Sequence, residues 1–117
     1  MADTNQIIIN VELDENKFPK KMTWTSGDSP TDQPEPECKA MLLSLFDKDY
    51  KDTNRIDLWT NEMQIPEMDM FMYYTLKGLA DTYFNATRNT ELASAMRQLA
   101  DYMAEKNKLF ENNDLPS

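Results

Sequence analysis

At 117 residues, with 40% hydrophobic and 10% aromatic positions, the chain is the usual size of one domain and can bury a core. A formal net charge of −9 works against nucleic acid, whose phosphates need a Lys/Arg surface, and against anionic membranes. With no histidine, one cysteine (Cys38) and two glycines (Gly27 and Gly78), the chain lacks the parts for His-dependent catalysis, His- or Cys-ligated zinc and a Gly-rich phosphate cradle.

Residues 6–13, "QIIINVEL", alternate like a strand, with Ile7, Ile9, Val11 and Leu13 on one side and Ile8, Asn10 and Glu12 on the other. No Lys or Arg precedes Lys17 and no long apolar run follows, so no secretory signal is expected. The longest nearly apolar run, "AMLLSLF", falls far short of the roughly 20 residues that span a bilayer. One cysteine cannot form an internal disulfide, which fits a reducing cytoplasm.

"DENKFPK" reads as a turn and "KMTWTS" (21–26) as a second, antiparallel strand, with Met22 and Trp24 facing inward. Residues 27–37, "GDSPTDQPEPE", hold three prolines and four acids and no large apolar residue. They predict an exposed acidic loop, either a solvated connection or a docking tag for a basic partner. Pro36 suits a first helical turn, and a helix to about Phe46 would align Cys38, Met41, Leu42 and Leu45 on one stripe. On that stripe Cys38 is a buried, inert thiol.

"DKDYKDTN" (47–54) is a polar turn whose Asp47, Asp49 and Asp52 have some of the spacing of a calcium loop. Lys51 stands where a ligand is wanted and Asp52 where the turn glycine is wanted, so no metal is expected. "RIDLWTNEM" (55–63) predicts the third strand, with Ile56 and Leu58 toward the core. That alternation sends Arg55, Asp57 and Trp59 to the open face, beside Ile8, Asn10, Glu12, Lys21, Thr23 and Thr25 of the neighbouring strands.

Pro66 starts a helix to about Asn85 that is apolar on two sides. Met68, Phe71, Met72, Leu76, Leu79 and Tyr83 form one stripe, suited to the sheet; Met70, Tyr73, Ala80 and Phe84, with Lys77 among them, form the other. The second stripe is covered either by the last helix or by its own copy in a homodimer, for which Met70, Tyr73 and Phe84 are the candidates. The last helix, with Thr90 as its N-cap, lines up Leu92, Met96, Leu99, Met103 and Phe110; the tail 111–117 is expected to fray.

The predicted fold is α+β, in the order β-β-α-β-α-α. It is one domain over 1–117, ordered over about 6–110, with a three-stranded, mainly antiparallel sheet and three helices packed on one face. Its inner face holds Ile7, Ile9, Val11, Met22, Trp24, Ile56 and Leu58. Trp59, with Arg55 and Asp57, is the candidate protein-binding surface, because Trp and Arg recur as binding hot spots. The alternative is structural: Trp59 lies flat over Arg55 or Ile8, in a contact of about 0.5–1 kcal/mol.

Five segments, "VELDENKFPKKMTW", "KAMLLSLFD", "RIDLWTNEM", "TLKGLADTYFNATRN" and "LADYMAEK", lie in an order and spacing similar to those of a known family. Over roughly residues 6–109 the chain resembles the GldC family of small cytoplasmic gliding-motility proteins of the Bacteroidota. The resemblance implies a soluble accessory protein of the gliding and linked secretion machinery, which binds an unidentified protein partner. It implies no enzyme activity, cofactor or catalytic residue. The acidic loop at 29–37 and "MYY" at 72–74 depart from the family's pattern. Two other readings stand beside it. A small acidic secretion chaperone would show a broad apolar groove, and a carboxylate-dependent enzyme would show a deep pocket of converging acids.

Overall fold

The computed structural model describes residues 3–27 and 35–110, so most of the predicted acidic loop and all of the predicted frayed tail lie outside the described residues. The chain divides into two compact units, Met1–Met63 and Gln64–Ser117. Among the described residues the first holds five strands and the second two helices.

In the first unit, β1 (Ile7–Leu13) and β2 (Pro19–Ser26) form an antiparallel hairpin. Its turn is built on Asp14, whose Oδ1 accepts the backbone N–H groups of Asn16 at 2.8 Å and Phe18 at 3.0 Å. The pairs Ile9–Trp24 and Val11–Met22 lie side by side on one face, as the alternation predicts. Met22 is completely buried. Trp24, expected inward, keeps 42% of its surface exposed.

Residues 37–46 are extended, interrupted only at Lys39, and they pass from one strand partner to another. β3 (Glu37–Cys38) pairs with β2 through Met22–Cys38 and Thr23–Glu37. After Lys39, β4 (Ala40–Phe46) pairs instead with β5 (Thr53–Trp59), antiparallel over seven positions from Ala40–Trp59 to Phe46–Thr53. The sheets are therefore β1-β2-β3 and β4-β5. Where they meet, Thr60 N–H donates to the Lys39 carbonyl at 2.7 Å and Asn61 N–H to the Pro19 carbonyl at 3.2 Å. Thr60 is buried, and among the described residues its hydroxyl has no hydrogen-bond partner.

This architecture corrects the expected one. The helix predicted from Pro36 to Phe46 does not form, and two sheets and two helices replace one three-stranded sheet with three helices on a face. The Ala, Met and Leu of 40–46 are good helix formers, but helix propensity is worth only tenths of a kcal/mol per residue (about 0–0.7) and a ladder with β5 outweighs it. Ile56 and Leu58 consequently sit opposite Leu43 and Met41, in a different sheet from Ile7, Ile9, Val11, Met22 and Trp24.

The turn between β4 and β5 is held by Asp47, whose Oδ2 accepts from the backbone of Asp49 at 3.0 Å and Tyr50 at 2.7 Å. Lys51 there takes a left-handed φ of 61°.

In the second unit, α1 (Ile65–Thr87) opens at Gln64, whose N–H donates to Glu67 Oε1 at 3.0 Å, with Pro66 in the first turn. It closes at Arg88, which has a left-handed φ of 60° and donates its N–H to the Phe84 carbonyl at 2.7 Å. α2 (Thr90–Lys106) is capped by Asn89, one residue before the expected Thr90; Asn89 Oδ1 accepts from Leu92 N–H at 3.0 Å. Lys77 meets Asp101 at 3.1 Å and Asp81 meets Arg97 at 2.8 Å, so the two helices run antiparallel. Ala80, Ala93 and Ala100 are fully buried, and their small side chains let the helices approach closely.

Candidate functional site

Arg55, Asp57 and Trp59 stand at alternate positions of β5 and so share one face of the β4-β5 sheet, but Ile56, expected toward the core with Leu58, is itself 51% exposed. Arg55 Nε and Nη2 both donate to Asp57 Oδ2, at 3.1 and 2.9 Å, and Nη1 donates to Ser44 Oγ at 2.9 Å. A long flexible cation is thereby held at three points on a surface where Arg55 and Asp57 remain 53% and 32% exposed. Trp59 is 56% exposed and stands opposite Ala40, whose small side chain leaves the indole uncrowded from that side. Leu42 and Phe46 complete the face, opposite Asp57 and Thr53. It combines a fixed guanidinium with two open aromatics.

The expected neighbours are elsewhere. Ile8, Asn10 and Glu12 pair with Thr25, Thr23 and Lys21 in the other sheet. There Glu35 Oε2 accepts from Thr23 Oγ1 at 3.0 Å and Asn10 Nδ2 at 3.3 Å. Ala40, Leu42, Ser44 and Phe46 were missed as members of the site because 40–46 reads as a helix. The available signal was length: a seven-residue apolar run between turn signals also suits a strand.

On α1, Tyr73 packs edge-on against Phe110 and Tyr74, with ring centroids 5.2 and 5.1 Å apart, under the Lys77 ammonium at 5.6 Å. The hydrogen bond to Asp101 holds the Lys77 pKa above its ordinary value. Phe84 lies under Arg88 at 5.2 Å. Met70 is exposed and, with Pro66, Glu67, Phe71 and Tyr74, lines an open apolar depression of about 380 Å³. Cys38 sits in β3 rather than on a helix, and burial pushes its thiol pKa up, away from reactivity. Among the described residues no group of three or more acids or cysteines is placed to hold a metal.

The model of the gliding motility-associated GldC-like family matches residues 19–109. The chain belongs to the GldC-like family. The GldC-like stretch takes in β2 to β5 and both helices, and with them Arg55, Asp57, Trp59, Met70, Tyr73 and Phe84. The family's description is one of motility and names no enzymatic reaction. No curated protein and no solved structure matches the chain. Among the described residues of this GldC-like chain, no helix is long and apolar enough to cross a membrane.

Proposed function

We propose that this GldC-like chain is a non-catalytic cytoplasmic accessory protein that binds a protein of the gliding and secretion apparatus through the β4-β5 face. The observation that carries this reading is Trp59, more than half exposed on a sheet face where Arg55 is already fixed by Asp57 and Ser44. A tryptophan left open costs solvation that burial against a partner would recover, and Trp and Arg are the side chains that most often dominate binding. Holding the guanidinium in place beforehand reduces the entropy lost when it docks. Membership in a motility-associated family supports the choice of apparatus. The single unpaired cysteine supports a reducing compartment.

The test is affinity capture from cytosolic and membrane fractions of the native bacterium, with the partner identified by mass. Trp59→Ala should abolish capture of a gliding or secretion component while changing stability by less than about 0.5 kcal/mol, as surface substitutions do. Normal capture by the variant places the docking surface elsewhere. Unfolding of the variant makes Trp59 scaffold.

A further inference from the structure

The two cross-helix ion pairs lie on one flank of the α1-α2 hairpin, and its other flank is apolar. Successive helical residues turn by about 100°. On α1 this puts Leu79 on the opposite side of the buried Ala80 line from Lys77 and Asp81. On α2 it puts Leu99 on the opposite side of Ala100 from Arg97 and Asp101. Both helices repeat apolar residues there at spacings of four, three and four: Met72, Leu76, Leu79 and Tyr83 on α1, and Leu92, Met96, Leu99 and Met103 on α2. The register of the ion pairs sets Leu76 level with Met103, Leu79 with Leu99 and Tyr83 with Met96. This is the seam of a left-handed helix bundle, present on both helices at matched heights. Its centre is open, because Leu79, Leu92 and Leu99 are 49%, 49% and 51% exposed.

We infer that this flank pairs with the same flank of a second copy across a two-fold axis, closing a four-helix bundle. A seam of this spacing is filled by another of the same spacing, and an identical hairpin supplies two. The eight seam positions carry no charge, so two chains of net charge −9 would meet where like-charge repulsion is least. The size is adequate. The 17 residues of α2 span about 25 Å at about 1.5 Å per residue, and two adjacent helices are about 20 Å wide. That strip, about 500 Å² in projection and larger in accessible area, approaches the roughly 800 Å² per partner of a stable interface. Tyr73 packs against Phe110 and Phe84 lies under Arg88, both within their own chain, whereas the seam residues Leu79 and Leu99 stay half-exposed.

Sedimentation equilibrium of the full chain is expected to give twice the monomer mass of 13.7 kDa. Leu79→Glu and Leu99→Glu, at half-exposed helical positions, are expected to give monomers of unchanged helical circular dichroism. Trp59→Ala should remain dimeric, which separates this surface from the β4-β5 face. A monomeric wild type, as when the chain covers the flank itself, overturns the inference, as does a dimer that survives both glutamates. Should a glutamate variant lose helix, Leu99→Gln decides. A dissociation constant raised about tenfold or more supports the seam, and an unchanged one overturns it.

Discussion

Thr60 is 2% exposed and donates its backbone N–H to the Lys39 carbonyl, yet its hydroxyl has no partner among the described residues. A buried hydroxyl that has lost water and gained nothing costs about 1–3 kcal/mol, whereas the same volume filled by methyls carries no such penalty. Thr60→Val is therefore expected to stabilise the protein by about 1 kcal/mol, read as a higher urea midpoint at unchanged slope. A lower midpoint would mean that the hydroxyl bonds an ordered water. The same accounting explains Arg55, whose exposed guanidinium has three bonds at its site. These differ in energetic weight. Surface ion pairs contribute about 0–1 kcal/mol, so the Arg55 contacts set geometry more than stability.

At the scale of elements, α1 and α2 were legible because their signals are local, whereas the helix read over 36–46 does not form. Pro66 near the start of α1, Asn89 before α2 and the 3.6-residue apolar spacing each act within a turn or two of chain. Asn89 was passed over for Thr90, since both are good caps and only backbone dihedrals show which residue stays extended; Asn89 has φ −83° and ψ 92°. Asn89→Ala is expected to lower stability by about 1 kcal/mol, with Thr90→Ala costing less. Equal losses in thermal unfolding would show that Thr90 shares the cap. The strands β1, β2 and β5 were legible from period-two alternation. β4 was not, because Met41, Leu42 and Leu43 are apolar in succession and hide the period of two, while Cys38, Met41, Leu42 and Leu45 also fit a helical stripe. The identity of β4 depends on β5, whose paired residues run from Phe46–Thr53 near the turn to Ala40–Trp59 at the far end.

For the whole molecule, charge sets how copies meet. With 21 acidic and 12 basic residues, two chains repel wherever they approach, and only the short-range apolar seam opposes this. Such repulsion is screened over about 30 Å at 0.01 M salt but about 8 Å at 0.15 M. Association through the α1-α2 flank should therefore tighten as salt rises. Sedimentation equilibrium at the two ionic strengths is expected to show a smaller dissociation constant at the higher one. Weakening by salt would mean that ion pairs hold the copies together.

The sequence alone determined the absence of histidine and of a Gly-rich cradle, α1 and α2 though not the falsely read helix at 36–46, and the alternation that places Arg55, Asp57 and Trp59 on one side of a strand. These depend on composition or on neighbours within a few residues, where backbone geometry is nearly independent of the rest of the chain. The tertiary structure decided which strands pair, that 40–46 is extended, and therefore that Ala40 and Leu42 rather than Asn10 and Thr23 neighbour the tryptophan, with Ser44 and Phe46 farther along the same face. Pairing is a choice among distant segments of similar intrinsic preference, settled by whole-ladder energies that no local window contains.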